Sequence, residues 1–351
     1  MNTFKLTLVA LLRSMSKGTL PIVLLLLVLA LLLLAVPRQI ASAATLCVNP
    51  GGTGGCFASI QAAVNAASSG DTINIAPGTY AENVGILNKP LTLPLTLLGT
   101  STLTTFVDTI STYNSNQVAI SNLTIGLFGN DGGTNVSLTN INLLSSAHNI
   151  SIFNSGILTL TNVAVIGSLG YPRQPFVFGI ENGGNAILTN VTVSGNQGGG
   201  IRNIGSMTLT NVTVTHNGER LGNGGVQNRG TIFVKNTIFA YNVVYDCPLS
   251  INPILSLGHN LDSDGTCPFN ATGDITNTDP LLGSLGYYGG STLVYPLMTG
   301  SPAIDAGTNV GCPSTDQRGF PRPYGVSCDI GAYEYQPPFV WYFYFFPWIN
   351  R

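Results

Sequence analysis

SIFNSGILTLTN (151–162), GIENGGNAILTN (179–190), GIRNIGSMTLTN (200–211) and GVQNRGTIFVKN (225–236) align without a gap, and each carries Asn in its fourth and twelfth places. One column is therefore Asn154, Asn182, Asn203 and Asn228, and a second is Asn162, Asn190, Asn211 and Asn236. A third follows six residues after the second, at Asn196, Asn217 and Asn242, with Ser168 in the matching place of the first repeat. VSLTN (136–140) is a weaker copy, and ISNLTIG (120–126) a weaker one still. Successive repeats are offset by 28, 21 and 25 residues (Asn154 to Asn182 to Asn203 to Asn228). That is about one turn of a three-strand coil rising by one strand spacing of about 4.8 Å. Stacked in register, the columns become ladders, because Asn tolerates the left-handed backbone of a tight bend and its amide both donates and accepts. Alternation within LTLTN turns Leu158 and Leu160 inward and Thr159 and Thr161 outward, and Ile180, Ile201 and Val226 supply more core.

Composition agrees. Only 8% of the 351 residues are charged, against about 25% in an average globular chain, and 42 are Gly. The formal net charge is −2 and no Lys/Arg cluster stands out, which excludes a nucleic-acid partner. At the N-terminus Lys5, Arg13 and Lys17 precede an apolar run from Leu20 to Val36, and Ala41-Ser42-Ala43 supplies a small-residue cleavage site before Ala44. Residues 1–43 are read as a signal peptide, with an uncleaved membrane anchor as the alternative. The expected location is secreted or cell-surface. Six cysteines suit an oxidising compartment, and local pairing of Cys47 with Cys56, Cys247 with Cys267 and Cys312 with Cys328 is the simplest of the 15 connectivities open to them.

FASIQAAVNAA (57–67) spaces Ile60 and Val64 as a short amphipathic helix does, and such a helix would cover the open strand edges of the first turn. The stretch 70–86 then alternates like a strand, turns at Ala76-Pro77-Gly78 and re-enters a strand. The run SIQAAVNAASSGDTINIAPGTYAENV (59–84) resembles the opening of pectin-lyase-like right-handed β-helix proteins. DPLLGSLGYYGG (279–290), SPAIDAG (301–307) and DQRGFPRPYGVSCDIGAYEY (316–335) resemble the choice-of-anchor Q module that follows β-helix repeats in bacterial surface proteins. The resemblance implies an all-β, right-handed parallel β-helix solenoid with an N-terminal capping helix and a disulfide-containing C-terminal extension, in a bacterial envelope or secreted protein. The expected organisation is a coil over 44–245, the C-terminal module over 246–336 and an aromatic tail over 337–351. That tail, FVWYFYFFPWINR (339–351), and the N-terminal segment are the two candidates for membrane contact.

Enzymes of this superfamily that act on polyuronates use clustered carboxylates, either to hold calcium or as an acid/base pair. Between 118 and 245 the acids are Asp131, Glu181 and Glu219, too sparse for such a cluster. Asn277-Thr278-Asp279 matches a polygalacturonase motif in letters, yet it precedes Pro280 in the C-terminal module and lacks the companion aspartates. Asp262, Asp264 and Asp274 are the candidate ligands for calcium, without the full set of a known loop; otherwise no cofactor is expected. His148, His216 and His259 share no ligand spacing and read as turn residues.

Beside the first ladder the outward positions read Phe153, Glu181, Arg202 and Gln227, so Glu181 and Arg202 should meet on neighbouring coils. The longer offsets insert 7 and 4 residues between the third strand of one repeat and the start of the next, and both insertions emerge along the same edge. They carry Tyr171, Arg173, Gln174, Glu219 and Arg220. With Glu181, Arg202, Gln227 and Arg229 they would form a shallow polar groove suited to a polysaccharide or another envelope component. A non-enzymatic adhesion or glycan-contact protein is the leading reading. A lyase or hydrolase using Glu181 or Glu219 with Arg202 or Arg220 is one alternative, and a purely structural envelope component is another.

Overall fold

The computed structural model describes residues 42–144, 151–167, 178–218, 224–248 and 252–337. Its strands run parallel in one continuous coil with three faces. The first face begins with β1 (Thr45–Val48), β2 (Thr72–Ile75), β4 (Leu95–Gly99) and the start of β6 (Gln117–Asp131). It continues through the first halves of β7 (Asn135–Leu144), β9 (Ile157–Ile166), β11 (Asn185–Ser194) and β13 (Ser206–Thr215), and then through β15 (Thr231–Lys235) and β17 (Ile254–Ser256). The second face takes the later halves of β7, β9, β11 and β13, followed by β16 (Ile238–Ala240) and β18 (Leu261–Asp262). The third is built from the ends of β3 (Gly78–Leu87), β5 (Thr105–Tyr113) and β6, then β8 (Ile152–Asn154), β10 (Phe178–Asn182), β12 (Gly199–Asn203) and β14 (Val226–Asn228).

Register follows the expected repeat. Glu181 pairs with Phe153 on one side and Arg202 on the other, and Arg202 pairs with Gln227. Leu158, Leu160, Ile180, Ile201 and Val226 are fully buried. The first Asn column lies inside the coil, also fully buried, with each amide donating to the next side-chain carbonyl at 2.6 to 2.9 Å. Asn130 extends it by one coil, donating to Asn154 at 2.7 Å, and Thr112 in turn donates to Asn130. The second column occupies the bend between the first and second faces, where Asn122, Asn140, Asn162, Asn190, Asn211 and Asn236 all have φ near +50°. That left-handed conformation strains most side chains and suits Asn. In the third column Asn196 donates to Asn217 and Asn217 to Asn242, each at 2.9 Å; Ser168 lies outside the described residues.

At the N-terminal end, α1 (Ile60–Ala66) buries Ile60, Ala63 and Val64 against the first turn. Ser59 caps it by accepting from Ala62 N, and the Glu82 carboxylate accepts from the amides of Ile60 and Gln61. A carboxylate on those unpaired amides stabilises the helix start. The bond from Cys47 to Cys56 closes the loop before α1; Cys247 is joined to Cys267 and Cys312 to Cys328, as the local pairing anticipated.

Parallel pairing continues past residue 245 through β17 and β18, and Ile275 bridges to Leu261. The chain then returns along the second face. Outward residues there, Asn142, Ala164, Thr192 and Thr213, are buried. Asn142 contacts the backbone of Ser291 and Leu293, Thr192 donates to Gln317, and Thr213 accepts from Ala332 N. The second Asn column takes part as well: Asn190 donates to Thr315 O, Asn211 to Asp329 O and Gly331 O, and Asn236 to Thr308 O. The sequons at Asn190 and Asn211 are thus covered, with the two side chains 2% and 0% exposed.

Candidate functional site

The third face carries the outward line expected from the repeats. Because side chains on a strand alternate, the residue before each inner-ladder Asn must point outward, and parallel register stacks those residues one per coil. Arg202 Nη1 donates to Glu181 Oε1 at 2.8 Å, with the two side chains 24% and 17% exposed. Arg202 Nε has no hydrogen-bond partner. Phe153 is exposed on the coil before, and Gln227 is half-buried on the coil after. Arg229, exposed, lies one residue past Asn228. One coil before Phe153, Asp131 adds a carboxylate that accepts from Ser155 Oγ and Gly132 N; these bonds, the Ser155 one foremost, hold it below the usual carboxylate range.

Tyr171, Arg173, Gln174, Glu219 and Arg220 lie outside the described residues, as do His148 and the tail 339–351. The residues flanking the two segments, Gly167 and Gly218, are described and lie two coils apart, each bonded to the coil between them: Gly167 N donates to Ser194 O, and Gly218 N to Asn196 O. Gly167 and Gly218 themselves lie at the corner between the second and third faces.

The expected ligand group of Asp262, Asp264 and Asp274 is rearranged. Asp274 turns to the coil, accepting from the Asn260 amide and from Ser256 Oγ. Its place is taken by Asp246, whose carboxylate lies with those of Asp262 and Asp264, their nearest oxygens all within 4.8 Å of one another. Sequence distance misled here, because the loop closed by Cys247 and Cys267 brings residue 246 onto 262 and 264 while a tight turn carries 274 back. Asp246 falls four residues after Asn242, at the end of the third column, and a carboxylate following a terminal ladder Asn is the signal that would have found it.

Asn277-Thr278-Asp279 forms a brace: Asp279 accepts from the Tyr241 hydroxyl and Leu281 N, while Asn277 takes a left-handed φ of 50°. Burial, reinforced by the Asp279 contact, pushes Tyr241 up to about 12. His216 and His259 also sit at positive φ, His216 stacked on Tyr295 and His259 Nδ1 within 2.8 Å of Ala306 O. A cavity of about 360 Å³ at the N-terminal end is lined by Val48, Asn49, Asn74, Ile75, Leu98 and Thr100 among others, and offers no acid or base.

No family model matches the chain, and neither does any curated protein. Among solved structures it is similar to pectate lyase Pel9A, with 15% identity, a TM-score of 0.52, and 85% of this chain and 98% of that one covered. The fold is thus a pectate-lyase-like parallel β-helix. At that identity the likeness speaks for architecture alone, since unrelated activities share one fold. Three disulfides on such a fold are consistent with an extracellular protein. Among the described residues no helix is long and apolar enough to cross a membrane.

Proposed function

We propose that this is an exported, non-enzymatic β-helix whose third face contacts glycans of a cell envelope or of a surface to which it adheres. The observation that carries the reading is the line Phe153, Glu181, Arg202 and Gln227, one residue per coil, with an exposed ring, an ion pair and an amide in a row. Sugar chains are recognised by such a combination: a flat apolar surface for the pyranose face and charged or amide groups for the hydroxyls. The strand spacing repeats these groups about every 4.8 Å, close to the rise of one sugar unit. The sequence resemblance to a choice-of-anchor module supports attachment at a bacterial surface, and the N-terminal signal supports export.

The test is a glycan array probed with the purified chain and with a variant carrying Arg173→Ala, Arg202→Ala and Arg220→Ala. Binding should fall in the variant. Equal binding would remove the third face from the account, and no binding by either protein would favour a purely structural role.

The enzyme alternative draws on the solved neighbour, which is named a pectate lyase. It would use Glu181 or Glu219 with Arg202 or Arg220. Glu181 is already engaged by Arg202, which favours a binding role over a free acid or base. Screening polyuronates and neutral polysaccharides, with and without calcium, decides the matter. Unsaturated products or new reducing ends that vanish in Glu181→Gln or Glu219→Gln would establish catalysis.

A further inference from the structure

The third Asn column ends on an anion. Asn196 passes its amide to Asn217, Asn217 to Asn242, and Asn242 to Asp246 Oδ1 at 2.9 Å. Asp246 is fully buried, and its other oxygen accepts from Ser263 N and Ser263 Oγ. Asp264 lies at the solvent side, with Oδ2 accepting from Asp246 N and Oδ1 from Thr266 N and Thr266 Oγ1. Asp262, also fully buried, receives Gly265 N and Asn277 N on Oδ1, while its Oδ2 is buried with no hydrogen-bond partner. None of the ion pairs among the described residues involves any of the three. Three carboxylates are thus brought together, two of them out of water, with one oxygen left unmatched.

We propose that Asp246, Asp262 and Asp264 form a binding site for a hard divalent cation, calcium by preference, that locks the C-terminal end of the coil. An unmatched buried carboxylate oxygen costs free energy, and a cation removes that cost and the mutual repulsion together. The donor set is all oxygen, which suits calcium or magnesium rather than zinc or copper. Calcium–oxygen distances of about 2.3–2.6 Å let ligand atoms lie as much as about 5 Å apart across the ion, and this group falls within that limit. Magnesium demands about 2.0–2.1 Å and near-octahedral geometry, so it should bind more weakly. The backbone and hydroxyl donors on Asp246 and Asp264 hold those carboxylates in place, as outer partners do around metal sites generally. Exposed Asp264 gives the ion its route in and leaves room for water ligands. Without the ion, burial above all and then the neighbouring negative charge raise Asp246 and Asp262 above the usual carboxylate range. The site sits beside the bond between Cys247 and Cys267, on the coil that follows β14 and two coils beyond Arg202, where Val226 N donates to Asp246 O; it shares no residue with the Glu181–Arg202 pair and stands whether or not that face binds glycans.

The experiment is calorimetric titration and thermal unfolding of the chelator-stripped chain with calcium and with magnesium, in wild type, Asp262→Asn and Asp264→Asn. Calcium at millimolar concentration should raise the wild-type melting temperature by several degrees and give one site by calorimetry, with magnesium weaker. Both variants should lose the calcium response. Stripped Asp262→Asn should melt no lower than stripped wild type, because it removes one of three repelling charges; its lost response then cannot be put down to misfolding. A stripped wild type unmoved by calcium, or variants that keep its calcium affinity, would overturn the proposal.

Discussion

Asn182 and Arg322 are both fully or almost fully buried polar side chains, and the structure satisfies them in different ways. Asn182 donates to Asn203 Oδ1, Gly184 O and Ser206 O, and accepts from Asn154: neutral groups throughout, repeated on each coil. Arg322 pairs with Glu334 Oε2 at 2.8 Å and donates to Asp329 O and Gly331 O, leaving Nε without a partner. Around it Arg318 pairs with Asp316 and lies over the rings of Phe320 and Tyr333. The coil is held by a repeated neutral bond that any length of repeat can extend. The returning segment is held by one concentrated ionic centre, whose members depend on one another. The coil should therefore lose stability locally when one rung is removed, whereas the segment should fail as a unit.

The largest effect is expected at that centre. Arg322→Met strands Glu334 and should cost about 3–5 kcal/mol, the usual penalty for leaving one half of a buried pair. Chemical denaturation would measure it, and limited proteolysis should show the segment 279–336 cut before the repeats. Equal release of both regions would erase the distinction.

The same centre should respond to pH. Burial, aided by the charge of Glu334, raises Asp329 from the usual carboxylate range to about 7. Folded Asp329 therefore keeps its proton up to about pH 7, while the unfolded chain loses it near about pH 4. The folded state binds more protons in between, so this group's contribution falls as pH rises through that window and levels off above it. The wild type should be more stable near about pH 5 than near about pH 8, and Asp329→Asn should flatten this slope. An unchanged slope in the variant would move the dependence elsewhere.

Asn182→Ala comes next. It deprives Asn203 Oδ1 of its side-chain donor and Asn154 Nδ2 of its side-chain acceptor, and should cost about 1–3 kcal/mol. Hydrogen exchange should quicken on the two adjoining coils and not at the ends. The smallest effect is at the surface: breaking the Glu181–Arg202 pair with Arg202→Ala should change stability by about 0–1 kcal/mol. A larger loss would make the pair a structural member and weaken its claim as a contact.

Repetition made the coil legible. Asn154, Asn182, Asn203 and Asn228 announced the ladder because the same bond is made three times in one register. Asn130 makes it a fourth time and was hidden, since β6 runs through two bends in one unbroken strand. The pairing of Glu181 with Arg202 was legible for the same reason. What covers the second face was not: alternation says that Thr192 and Thr213 point outward, but it cannot say that a segment more than a hundred residues later lies on them. Asp246 and Asp274 exchanged roles because ligand proximity is set by loop closure, which residue order in a turn-rich stretch does not reveal.

A hydrogen-exchange footprint of the chain with the best polysaccharide from the array would locate the contact surface. Protection should be confined to the third face, at β8, β10, β12 and β14. Protection spread along the first face, or none at any face under saturating ligand, would contradict the claim that the Phe153 to Gln227 line is the contact surface.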